Sequence, residues 1–179
     1  MNPPKIFVFI LLYYVVWFLS IYFALKNMGY VALLVSIVIS LIQTAFFITQ
    51  DNLKPFMIWF MAFTLLGYLV DTLFQLFGIL SFESNTWGSH YAPPWILALW
   101  INFSVLCFGM KKLLIKYIKY MPLLALCGFP LAYSAGIKFG VATFVYPILS
   151  PLIQGLIWAV FFSGSLYVMN RLSNGTGAS

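Results

Sequence analysis

Asp71 stands inside the apolar stretch LLGYLVDTLFQLFG and is one of only three acidic residues in a chain of 179. A charge held in hydrocarbon costs roughly 2.5–3.5 kcal/mol on insertion scales, so such a residue implies a partner, a polar space or a function. Thr64, Gly67, Tyr68, Asp71, Gln75 and Gly78 recur at spacings of three and four. They therefore share one face of a helix, opposite Leu, Val and Phe, and that face is expected to turn into a bundle. Asn102 and Gln154 are polar residues in other apolar stretches, as are Ser36, Ser40 and Gln43. Interhelical hydrogen bonds are the plain role for such groups, at about 0.6 kcal/mol each on average. Lys138 sits near the end of a further stretch, placed either to face Asp71 or to extend its ammonium to the head groups.

A second concentration of polar chemistry is the loop SFESNTWGSHYAPPW, from Ser81 to Trp95, which holds Glu83 and the single histidine, His90. These two have acid–base capacity, but a lone histidine is weak evidence for catalysis. An interfacial belt of Trp87, Tyr91 and Trp95 explains the loop equally well, and a lid over a pocket containing Asp71 is the sharper alternative. The chain carries no HExxH, no Gly-x-Ser-x-Gly, no nucleotide-binding loop and no metal-ligand cluster, so catalytic residues stay unassigned and no metal or cofactor is expected. Cys107 and Cys127 match no metal spacing and read as small packing residues.

The elements that position these residues follow from composition. With 64% hydrophobic and 7% charged residues, the chain cannot cover a water-facing surface, for which about a quarter of residues are normally charged. It is expected to be an all-α polytopic membrane bundle of about six helices, spanning roughly Ile6–Leu25, Tyr30–Thr49, Phe56–Leu80, Pro94–Met110, Pro122–Val141 and Ile148–Asn170. The runs lack the period-two alternation of a membrane barrel. Residues 1–172 form one transmembrane domain in this reading and 173–179 a flexible tail. The first span, ending in YFALKNMG without a small-x-small site, reads as an uncleaved helix.

Lys5, Lys54, Lys111, Lys112, Lys116, Lys119 and Arg171 fall in alternate connections, leaving Lys26 and Lys138 for the others. This bias places both termini in the cytoplasm and the Ser81–Trp95 loop outside. In KKLLIKYIKY the four lysines share one helical arc opposite Leu113, Leu114, Tyr117, Ile118 and Tyr120. Lys111, Lys112, Lys116 and Lys119 are thus candidates for lipid head-group contact as well as topology determinants. The net charge of +6 is accounted for by orientation, with no call for nucleic acid. In the fifth span Gly128, Ala132, Gly136 and Gly140 recur every four residues, a small-residue seam expected to admit a neighbouring helix.

Three segments, GYLVDTLFQLFGILSF, APPWILALWINFSVL and GFPLAYSAGIKFGVA, resemble the bacterial inner-membrane proteins of domain of unknown function 2878 over nearly the whole chain. The matching positions are Asp71, Gly78, Pro94, Trp95, Leu99, Trp100, Pro130, Tyr133, Ala135, Gly136 and Gly140. The resemblance implies a multi-pass bacterial inner-membrane protein. It also implies a lipid-linked role, through the fatty-acid-modifying enzymes near which such proteins are encoded, and it supplies no catalytic residues.

Three functions follow from this reading. A lipid-associated or small-molecule-binding protein would use an outward-facing polar cavity lined by Asp71, Gln75, Asn102, Lys138 and Gln154, with Glu83 and His90 above it; a solute-transport subunit is the variant in which that ligand moves on. A lipid-modifying enzyme would use His90 or Glu83 as acid or base. An assembly subunit would dock another membrane protein through its small-residue seam. The first is the leading expectation, with membrane lipids as partners.

Overall fold

The computed structural model describes residues 3–175, and side chains from Ile6 to Arg171. It is an all-α bundle of seven helices with one short ribbon: α1 (Pro3–Leu25), α2 (Gly29–Phe47), α3 (Leu53–Leu76), β1 (Leu80–Phe82), α4 (Pro94–Gly109), α5 (Lys111–Lys116), α6 (Met121–Lys138), β2 (Ala142–Phe144) and α7 (Leu149–Gly175). Five helical stretches are long and apolar enough to cross a membrane: Ile6–Leu25, Gly29–Phe47, Gln50–Leu76, Ile118–Lys138 and Leu149–Arg171. Their outward faces carry large apolar side chains such as Phe7, Phe18, Leu34, Leu65 and Val160, as expected of a protein solvated by lipid. Residues 176–179 of the expected tail lie outside the described residues.

α4 has 16 residues, about 24 Å of helix against a hydrocarbon core of about 30 Å. It occupies the centre, packed on by α1, α2 and α3. Its apolar residues have no preferred face because neighbours surround it, and Trp95, Ile96, Ala98, Trp100 and Val105 through Phe108 are all buried. Pro94 opens it at a position where a missing N–H is harmless.

α3 and α6 end alike. Gly78 and Gly140 take the left-handed conformation (φ +63° and +78°) that closes a helix, and each chain then enters a three-residue strand. β1 and β2 pair antiparallel, Leu80 opposite Phe144 and Phe82 opposite Ala142. This ribbon fastens the ends of α3 and α6 together and defines the hairpin end of the bundle; α5 and its lysines mark the opposite, lysine end.

α6 and α7 form the closest helix pair. Pro130 within α6 has no N–H for the Leu126 carbonyl one turn earlier. Gly155 of α7 lies against that carbonyl, and a Cβ at Gly155 would overlap its oxygen. The seam expected on α6 behaves differently: a Cβ added at Gly128 would meet nothing within 4 Å, and Gly136 faces Val141 and Ile21. The close approach between these helices is made by α7's glycine, while Gly128 of α6 borders open space.

Candidate functional site

The site begins with Gly67. A side chain there would overlap the indole of Trp100, so glycine leaves a slot on α3 into which the ring of α4 lies flat. The indole then reaches Asp71, one turn further along, and its Nε1–H donates to Oδ2 at 2.7 Å. Tyr133 of α6 donates its hydroxyl to Oδ1 at 2.6 Å. Asp71 is fully buried, and the two donors join α3, α4 and α6 through one carboxylate. An ionised carboxylate would make both hydrogen bonds charge-assisted, and removal of either partner would strand a buried polar group.

Beside this cluster, α1 and α6 meet near the hairpin end, where the Trp17 and Phe139 rings lie 6.1 Å apart. Below that meeting their faces diverge around a cavity of ≈ 310 Å³. Its wall is aromatic: Tyr13 and Trp17 from α1, Trp95, Trp100 and Phe103 from α4, and Phe129 and Tyr133 from α6. Asp71 also borders it, behind the side chains that cover its oxygens. Phe82 and Ala142 of the ribbon close it above. Leu124, Gly128 and Ala132 line it and are exposed, so it opens sideways to the surface of the bundle. Stacked rings stiffen the inner wall, with Phe129 and Trp158 at 4.6 Å and Trp100 and Trp158 at 4.7 Å.

Of the candidates for a polar cavity, Asp71 alone lines this one, and the lining is otherwise apolar and aromatic. Asn102 lies on another side of α4, where its Nδ2 donates to Gln43 Oε1 at 2.8 Å and Ser40 Oγ at 3.2 Å. Gln154 is buried in α7 with neither end of its amide hydrogen-bonded. Lys138 is exposed at the end of α6, and the carboxylate of Asp71 takes the indole and the phenol as its partners.

Gln75 fastens the Ser81–Trp95 loop, donating to the carbonyls of Ser89 (2.7 Å) and Tyr91 (3.0 Å). Tyr68 donates to the Ala92 carbonyl at 2.7 Å, and Thr72 accepts from the Ala92 N–H at 3.2 Å. These bonds draw the loop onto the flank of α3, and Trp87 lies between Tyr30 and Tyr68. Glu83 and His90 are exposed and line no part of the cavity. The cover over it is Phe82, from the first residues of the loop.

A family model described as "Protein of unknown function (DUF2878)" matches residues 6–164. The chain belongs to this family. Neither a curated protein nor a solved structure matches it. In this DUF2878 member, the sequence segments that carry the resemblance converge: Trp100 and Tyr133 both donate to Asp71, and Trp95, Leu99 and Gly136 line the same cavity. Tyr13 and Trp17 were not legible as site residues, since an aromatic residue in the first helix of a membrane chain is ordinary; only their position across from α6 reveals them.

At the lysine end of this family member, KKLLIKYIKY is not one flat helix: α5 stops at Lys116 and a 3₁₀ turn, Ile118–Tyr120, follows. Lys111 is half-buried, donating to Asn52 Oδ1 at 2.7 Å with its ammonium 4.4 Å from the Phe108 ring centre. Burial, and then the neighbouring Lys112, holds its ammonium below the usual lysine range. Lys112, Lys116 and Lys119 are exposed. Lys111 therefore fastens α5 to the α2–α3 connection, while Lys116 and Lys119 lie over the rings of Tyr117 and Tyr120.

Proposed function

We propose that this protein is a polytopic component of the bacterial inner membrane that holds the hydrophobic chain of a lipid or lipid-like small molecule in the cavity between α1 and α6. The observation that carries this reading is the cavity itself: ≈ 310 Å³, apolar, and opening laterally along Gly128 and Ala132. A ligand dissolved in the bilayer can enter such an opening without crossing water. Its volume is in the range of small-molecule sites, and the Asp71–Trp100–Tyr133 cluster provides the few polar groups that orient a ligand in an otherwise apolar pocket.

In this proposal both termini and the lysine end face the cytoplasm, as the distribution of lysine and arginine favours, and the hairpin end faces outward. Lys112, Lys116 and Lys119 then contact anionic head groups of the cytoplasmic leaflet. The proposed role is binding, with no catalytic step assigned.

Native mass spectrometry in a mild detergent tests the proposal. The wild-type protein is expected to retain one amphiphile per chain, and Gly128→Trp, which fills the opening, is expected to lose it. Equal retention by both would refute the cavity as the binding site. A second protein retained in place of an amphiphile would favour an assembly role.

A further inference from the structure

We infer that the ligand of this cavity is cationic: a single-chain amphiphile bearing an ammonium group, with its charge beside Trp100 and Tyr133. The inference rests on the binding role proposed above and adds the charge of the ligand.

Among the described residues, Asp71 has no cationic side chain beside it. Asp71 is buried, both its oxygens are met by neutral donors, and none of the residues lining the cavity is cationic. A buried carboxylate without a counter-charge carries a desolvation cost that two hydrogen bonds only partly offset. A cation in the adjoining space would supply the missing compensation.

The groups in front of the carboxylate favour the same sign. The Trp100 N–H is already used, and an indole has no acceptor to offer, so Trp100 presents its ring. The Tyr133 hydroxyl has given its only proton to Asp71, so it can offer a ligand lone pairs but no donor. It can accept from an ammonium N–H and has no proton to give a carboxylate or phosphate.

Around them stand Tyr13, Trp17, Trp95 and Phe103, whose ring faces carry the negative side of the aromatic quadrupole. Rings around a cation, backed by a carboxylate, recognise organic ammonium groups. An anionic head placed beside Asp71 would find no cationic side chain among the lining residues.

The experiment uses the full-length protein in nanodiscs of phosphatidylglycerol, whose head group carries no ammonium, with three probes of equal chain length: dodecyltrimethylammonium, dodecanol and dodecanoate. Binding is measured by native mass spectrometry over a concentration series, with Gly128→Trp as the background. The ammonium is expected to bind about tenfold tighter than the alcohol, the scale of a desolvated cation–aromatic contact, and dodecanoate weakest. Asp71→Asn, which keeps the side-chain volume, should bring ammonium and alcohol within about twofold of each other. Alcohol binding by this variant above the Gly128→Trp background shows the cavity intact.

Repeating the series with dodecylamine, with and without phosphatidylethanolamine in the disc, separates the sources. Competition by the lipid supports a lipid-borne amine, and its absence a free amphiphile. Equal binding of the three probes to wild type, or a cation preference that survives Asp71→Asn, overturns the inference while leaving the chain-binding role standing. Failure of every probe to bind above the Gly128→Trp background overturns both.

Discussion

Two lateral grooves of the bundle differ in chemistry more than in size. The one between α2 and α3, ≈ 400 Å³, is lined by Ile37, Leu41, Phe56, Met57, Phe60 and Leu65 among others. Its polar residues are already committed: Thr44 donates to the Ser40 carbonyl, Ser40 Oγ accepts from Asn102, and Thr64 pairs with Ser104. The groove between α1 and α6 is smaller, at ≈ 310 Å³, but it has a carboxylate behind its wall and rings around it. The first resembles the space any lipid tail fills between helices. The second has polar groups that, in the binding role proposed, would distinguish one ligand from another, so volume alone does not select the site.

The largest effect should come from the contact that holds α6 as a wall of the second groove. Gly155→Leu would drive a side chain into the Leu126 carbonyl and is expected to cost about 3 kcal/mol or more, read as a lower thermal unfolding midpoint in detergent and loss of bound ligand. An equally large substitution facing the first groove, Leu65→Trp, should leave ligand retention unchanged.

Next is Asp71→Leu, which strands the Trp100 N–H and the Tyr133 hydroxyl, each at about 1–3 kcal/mol. Asn102→Leu strands Gln43 Oε1 but also removes the Asn102 oxygen that has no partner, so its loss in thermal stability should be smaller. Reversal of that order would mean that the Asp71 cluster is not the more strongly coupled of the two.

Gly128→Trp should weaken ligand binding by more than about tenfold without loss of stability, since the site is open and glycine is a poor helix former by about 1 kcal/mol. The smallest effects are expected at His90→Ala and Glu83→Gln. Both residues are exposed and outside either groove, so changes within about 0.5 kcal/mol in stability and none in binding are predicted.

Much of this arrangement was legible in the chain. The three-and-four spacing of Thr64, Gly67 and Asp71 correctly marks a face turned inward, because helical geometry alone fixes it. Pro94 opens α4 where the fourth span is expected to begin, for a reason equally local, whereas Gly78 and Gly140, expected on helix faces, lie just past the ends of α3 and α6. What spacing could not show is which helix each polar residue would meet. Asn102 and Gln154 are as polar as Asp71, yet the packing of α4 and α7 turns them to other interfaces. Tyr68, Thr72 and Gln75 bind the loop to α3, so His90, which looked like chemistry, ends outside. The seam on α6 shows the same limit: small residues permit a close approach, and here they leave a gap instead, because the closest approach to α6 comes from α7 at Gly155.

Photo-crosslinking separates the two grooves most directly. A dodecylammonium probe carrying a trifluoromethylphenyl diazirine on its chain would be irradiated with the protein in nanodiscs and its adducts mapped by peptide mass spectrometry. Adducts concentrated on α1 around Tyr13–Ile21 and on α6 around Leu124–Gly136, and suppressed by Gly128→Trp, are the predicted result. Adducts concentrated on α2 and α3 between Ile37 and Leu65, or spread over every lipid-facing helix and indifferent to that substitution, would contradict it.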